Sequence, residues 1–295
     1  MIPILSKLIT TTVATVSVLL FLTGRSADAF NYSHISQIKT VKNCTACDLS
    51  NADLRSLSLP DANLKGSDFE SADLSGANLS GANLTNADLS GANLARADLG
   101  MARLINTKLI MAGLQGANLS GANLSGATLT FADLSGADLR GSQLDGVNLN
   151  GVKLAGANLV RMNLGNRNLS QADLSRADLS EATLNGTDLS GANLSGANLN
   201  ETSLSRTDLS GADLRRTNLT RAGNTAGLKL AGADLSSANL SRVDLSGADL
   251  TGATLTGAKI SGIRLNGAKL GGATWIDGSR CDDLSIGSCS KKNIQ

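Results

Sequence analysis

Four cysteines and one histidine are the residues of this 295-residue chain best suited to chemistry. Cys44 and Cys47 stand at C-x-x-C spacing, which suits a redox pair or half of a zinc site. Cys281 and Cys289 lie near the other end. A redox pair of that type needs a strand before it and a helix after it, and this setting is missing. His34 is the only imidazole, which argues against most acid–base enzymes and against histidine-ligated metals. Ser and Asp are abundant, but a Ser/His/Asp group needs an imidazole among them, and His34 stands apart. Two paired carboxylates are formally another catalytic arrangement.

The elements that would hold such residues have an odd composition. Apolar residues make up 41% of the chain, yet aromatics make up 2% and proline occurs twice. Rings usually fill the large irregular gaps of a globular core. This core must therefore be filled by something small and uniform. Lys and Arg number 26 and Asp and Glu 25. That balance gives no reason to expect a partner among nucleic acids or membrane surfaces.

Met1 to Ala29 reads as a signal peptide. Lys7 supplies a basic start, Leu8 to Leu22 is uncharged and mostly apolar, and Ala27-Asp28-Ala29 is an A-x-A cleavage site. The apolar stretch is short for a transmembrane helix. Cleavage would leave 24 basic and 24 acidic residues. It would also place the cysteines in an oxidising compartment, and no stable membrane insertion is expected afterwards.

A repeat dominates the rest. From Leu49 to Leu219 a large apolar residue falls at every fifth position without one insertion or deletion. A second frame runs from Leu230 to Trp275. Of these 45 central positions, 42 are Leu, and the exceptions are Phe69, Ile260 and Trp275. Two residues before each centre sits Ala or another small residue. One residue before it, Asp occurs 16 times and Asn 14 times. Ser or Thr follows, and often Gly. A period of five fits neither a helix nor a long strand. Within one extended pentad, however, the small residue and the Leu share a face and can point inward. The remaining position, often Gly, must turn the corner. A slip of one residue would turn a Leu out of the interior, which accounts for the unbroken frame.

The run Ala72-Asp73-Leu74-Ser75-Gly76-Ala77-Asn78-Leu79 resembles the A-(D/N)-L-x-x signature of the pentapeptide-repeat proteins. The resemblance implies an all-β fold, a right-handed quadrilateral parallel β-helix with four pentads to each coil. The repeats here would make about 11 coils, a rod roughly 54 Å long at ~4.8 Å per coil. The Trp275-x-Asp277-Gly278-x-x-Cys281…Cys289 ending looks like the closure of exported members of that family. With it go disulfides Cys44–Cys47 and Cys281–Cys289. A four-cysteine zinc site would have to join opposite ends of the rod, against ligand distances near ~2.3 Å. The expected organisation is signal peptide 1–29, N-terminal cap 30–46, β-helix 47–277 and C-terminal cap and tail 278–295. Ile35, Ile38 and Val41, spaced by three, predict a short helix capping the first coil. Leu219 and Leu230 are separated by one residue too many, which predicts a one-residue bulge or small loop within 220–229.

Coils of four pentads would stack side chains into columns. One outward column reads Asp98, Asn118, Asp138, Asn158, Asp178, Asn198, with amides separating the charges. Another reads Arg161, Glu181, Glu201, Arg221. Ile105 and Ile110 take outward positions usually held by Ser or Thr, and Met111 and Phe131 are 20 apart. These four form the candidate partner patch. Arg167 falls where a small inward residue belongs. Burying it is costly, so the wall should bulge or Arg167 should reach out through a corner.

Three functions compete for these features. A non-enzymatic, exported structural or interaction rod, in the periplasm or thylakoid lumen, fits best; its partner would be an unknown protein or a second copy. Some members of the family inhibit DNA gyrase by mimicking DNA, which needs a strongly negative surface. The mature balance of zero and the signal peptide oppose that reading. An enzyme is opposed by the missing imidazole and by a convex rod without a cleft. No cofactor, metal or catalytic residue is assigned.

Overall fold

The computed structural model describes residues 32–149 and 151–291. The signal-peptide reading and the tail beyond 291 lie outside those residues. The repeat forms a coil in which each pentad contributes one short extended side and one turn. The residue before most central positions pairs in parallel with its counterpart four pentads on, from Asn43 with Asn63 onward, as in Asn78 with Asp98 and Asp98 with Asn118. Four pentads per coil give four sides.

Local chemistry explains each position of the pentad. The central amide donates one coil on, as Leu99 N does to the Asn118 carbonyl at 2.7 Å. The amide before the centre donates one coil back, as Asn118 N does to Ala97 at 3.0 Å. A turn then closes from the central carbonyl to the amide three residues on, as Ala77 N to Leu74 at 3.0 Å. Its third residue has positive φ (Gly76 +65°), the pattern of a type II turn. Asp and Asn alternate freely before the centre because both offer an acceptor oxygen. Asp73 Oδ1 accepts from Ser75 N at 3.0 Å, and Asn78 Oδ1 accepts from Ser80 N at 3.0 Å. This side-chain-to-backbone bond fixes the start of the turn.

Central leucines and inward alanines are buried along the rod. Where the inward residue is polar, it is satisfied internally, as burial requires. Thr107, Thr187 and Thr207 donate to the Leu84, Leu164 and Leu184 carbonyls at 2.9, 2.8 and 2.8 Å, each acceptor 23 residues earlier.

Outside, the Asp/Asn column forms a partial amide ladder. Asn118 Nδ2 donates to Asp98 Oδ1 at 2.8 Å, and Asn198 Nδ2 to Asp178 Oδ1 at 3.0 Å. Asp138 is held instead by Arg140, with Nη2 to Oδ2 at 2.7 Å. Asn118→Asp would keep the acceptor for Ser120 N but set a carboxylate between Asp98 and Asp138. The expected loss is about 1–2 kcal/mol at low salt, shrinking as salt screens the column. Denaturation curves at low and high sodium chloride check both parts.

Both ends are covered by other structure. Helix α1 (Tyr32–Val41) lies over the first coil. Ile38 is fully buried and Ile35 packs against the core. Val41, expected in the same cap, is instead exposed at 63%. Two steps of three residues turn a helix about 120° off the original face, which carries Val41 away from the coil. His34 Nδ1 accepts from Asp48 N at 3.1 Å, and Gln37 Nε2 donates to the Asn43 carbonyl at 2.8 Å. Both backbone groups sit on the first coil's open edge, where no earlier coil can serve them. At the other end the chain folds back antiparallel: Leu270 N donates to Ser285 at 2.9 Å and Trp275 N to Ser279 at 2.7 Å. Trp275 is partly buried against the core.

The frame shift is a single added residue. Ser203 pairs with Gly223 in the regular register, but Asp208 pairs with Lys229, one position beyond it. Asn224, with φ +47°, is the addition. Thr225 then takes the central position and is buried, while Leu228 is buried where Ala usually sits. The volume missing at one inward position is made up at the next, so the stack continues.

Candidate interaction surface

The corners decide what the rod presents. Corner residues have positive φ, and about half are not glycine. A side chain at a corner leans toward the corner one coil on. A Cβ built on Gly121 would lie 2.3 Å from Met101 Sδ, and one on Gly151 would lie 2.4 Å from Phe131 Cδ1. Large corner residues are therefore often followed, one coil later, by a glycine that makes room for them. Asn106 over Gly126 and Gln171 over Gly191 repeat the arrangement.

Met111 and Phe131 stand on successive coils at one corner and are exposed at 68% and 65%. Ile110 adjoins Met111 in the same turn and is also exposed. Ile105, expected in the same patch, lies one corner away and is half-buried. Each pentad advances the chain by one full side, so a neighbour in the pentad frame is not a neighbour on the surface. Met101 is two sides away from Met111. The apolar edge is thus Ile110, Met111 and Phe131, with the Phe131 ring laid over Gly151.

Arg167 marks a break in the wall. Parallel pairing holds on both sides, at Asp138 with Asn158 and at Lys153 with Asp173, but among the described residues none joins Gln143 to Asn163 or Asn148 to Asn168. Bulky inward residues coincide here: Val147 lies one coil below Arg167, and Ser142 Oγ meets Met162 Sδ at 3.9 Å. The wall opens as expected, but Arg167 does not leave through a corner. Its Nη2 donates to the Leu144 carbonyl at 2.7 Å and its Nη1 to Val147 at 3.2 Å. The first acceptor stands where the inward threonines find theirs. The second is the carbonyl that elsewhere accepts an amide from the next coil. Sequence reasoning missed this because the acceptors are backbone carbonyls one coil away. Beside Arg167 lies a cavity of about 360 Å³ lined by Ser142, Gln143, Leu144, Asp145, Asn163 and Gly165.

One corner is a ladder of charge. Arg161 donates to Glu181 at 2.8 and 3.1 Å, and Arg221 to Glu201 at 3.3 Å. The Arg161 hydrogen bond holds the Glu181 carboxyl below its usual range. Pairs this exposed add little stability. They do keep two stacked carboxylates neutralised.

The remaining candidates are placed as follows. Cys44 is bonded to Cys47 at the N-terminal end, and Cys281 to Cys289 at the C-terminal end. Cys44, Cys47 and Cys281 are buried. His34 serves the first coil's edge. Among the described residues no group of His, Cys, Asp and Glu could hold a metal ion. No helix among them is long and apolar enough to cross a membrane.

The sequence matches the family description "Pentapeptide repeats" in 8 copies, spanning residues 47–222 and 229–274. Among curated proteins none matches it. The similar solved structures include the following three. HetL, a pentapeptide repeat protein of the cyanobacterium Nostoc involved in heterocyst differentiation regulation, is 36% identical over 81% of this chain and 91% of its own, with a TM-score of 0.35. A pentapeptide repeat protein of the Arabidopsis thaliana thylakoid lumen is 32% identical over 35% of this chain and 73% of its own, with a TM-score of 0.34. QnrB1, a plasmid-mediated fluoroquinolone resistance protein, is 21% identical over 65% of this chain and 92% of its own, with a TM-score of 0.30.

Proposed function

The chain belongs to the pentapeptide repeat family, and we propose that it is an exported, non-enzymatic rod that binds a partner protein through its edge. In this reading the rod is right-handed, has about 11 coils, and works in the periplasm or thylakoid lumen after loss of residues 1–29. The exposed apolar edge carries the reading. Elsewhere these turn positions mostly hold glycine, polar or charged residues, which water solvates readily. At Ile110, Met111 and Phe131 the rod instead shows water three large apolar side chains together. Contiguous exposure of that type marks an interaction site. Positive φ adds to the case, because a bulky residue there costs conformational energy that Gly would avoid. The signal-like segment and the paired cysteines support an oxidising compartment.

The test is a double variant, Ile110→Ser with Phe131→Ser. Serine occupies the same corner geometry at Ser71 and Ser237, so the coil is expected to stay intact. Crosslinking and pull-down of the mature protein from its own compartment should lose a partner, or self-association should disappear. An unchanged oligomeric state together with an unchanged set of co-purifying proteins would sink the proposal.

A further inference from the structure

A second corner carries arginines in the same rhythm as the charge ladder, but without its carboxylates. Arg176, Gly196 and Arg216 are corner residues of three successive coils, with φ +58°, +69° and +58°. On the adjacent corner the order is Arg161, Glu181, Glu201, Arg221, and each arginine finds a carboxylate one coil away. Between Arg176 and Arg216 the middle corner is glycine. Among the described residues neither arginine has an ion pair. The arginine stem leans over the glycine, with Arg176 Cγ 3.7 Å from where a Gly196 Cβ would sit. What remains is an open cavity of about 390 Å³, lined by Arg176, Arg215, Arg216, Gly196 and the serines Ser195, Ser236 and Ser237. Arg215 is fixed in place, its Nε and Nη2 held by Asp213 at 2.8 and 2.6 Å, which leaves Nη1 unused by that pair.

The geometry points to an oxyanion site: Arg176 and Arg216 bind a phosphate or carboxylate group where the adjacent corner carries its own glutamates. The chemistry follows from the lining. The corners that carry Arg176 and Arg216 stand about 10 Å apart along the rod, two coil steps at ~4.8 Å, and flexible stems bring their guanidinium groups onto one ion. Guanidinium groups bind planar and tetrahedral oxyanions through paired N–H donors. The Ser195 and Ser236 hydroxyls already donate to Asn193 Oδ1 and Asp234 Oδ1, which leaves Ser237 to supply a further donor. Gly196 matters by what it omits, since a longer side chain would occupy the space. This site is independent of the apolar edge and does not rest on it.

Isothermal titration of the mature protein with inorganic phosphate, and separately with a tetraglutamate peptide at fixed ionic strength, tests the site. Binding on the order of 1 mM is expected for at least one probe. Phosphate alone binding identifies a phosphorylated ligand, and the peptide alone binding identifies an acidic protein segment. The pair Arg176→Gln and Arg216→Gln should weaken binding about tenfold or more. Gly196→Glu should do the same by supplying an internal carboxylate; Glu181 and Glu201 show that glutamate fits this corner geometry. An unchanged unfolding temperature confirms that the variants are folded. If neither probe binds below about 50 mM, or if binding survives either set of substitutions, the inference is overturned.

Discussion

Replacing Phe69 with alanine is expected to cost about 3–5 kcal/mol, the largest loss from any single side chain in the rod. Phe69 is the one ring at a fully buried central position. Its neighbours in the column are Leu49 and Leu89, and its pentad carries Ser67 at the inward position, with Ser67 Oγ donating to the Cys44 carbonyl. Alanine would leave a cavity that the surrounding backbone cannot collapse, because each coil is pinned by hydrogen bonds to the coils on either side. Phe69→Leu restores the residue found at most other centres and should cost less than about 1.5 kcal/mol. Chemical denaturation measures both. In a solenoid each coil contacts only its neighbours. Hydrogen exchange in Phe69→Ala should therefore quicken mainly in the coils around residue 69 and hardly at all beyond residue 200. Uniform acceleration along the rod would contradict this.

Two substitutions at Arg167 should act in opposite directions. Arg167→Met keeps the bulk that wedges the wall open but removes both hydrogen bonds. It leaves the Val147 carbonyl without its donor and should cost about 2–3 kcal/mol. Arg167→Ala removes the wedge as well. Alanine is what most pentads carry at this position, so the wall can close and the Asn168 amide can reach Val147 as other amides do. The alanine variant should be at least as stable as the parent, and the Asn168 amide should gain protection from exchange. If alanine destabilises more than methionine, the bulk at position 167 is filling the wall rather than wedging it open.

Much of the fold can be read from the sequence because its rules are local. The five-residue period, the central Leu, the small inward residue and the acceptor before the centre each follow from one pentad. The family signature then implied four sides and four pentads per coil. The charge ladder followed from counting in steps of one coil, since the frame is unbroken from Leu49 to Leu219. The added residue could be placed only within 220–229. That it is Asn224, with Thr225 and Leu228 exchanging volume, depends on which of several positions leaves the best-filled interior.

The candidate surface was less legible. Ile105 looked like a neighbour of Ile110 because both break the same pentad rule, yet they face different sides. Val41 matched the spacing of a cap and missed its face. Arg167 looked like a cost, and its acceptors were backbone carbonyls that no residue type announces. The empty corner between Arg176 and Arg216 is visible only beside the filled corner next to it. The sequence by itself determined the repeat, the buried set and the absence of catalytic imidazole from the coil. The tertiary structure alone decided which residues share an edge, which carbonyls lack a donor and where a side chain has room. The reason is physical: inward or outward follows from local backbone geometry, whereas contact across coils depends on the side chain's reach and on what stands at the same place in the next coil.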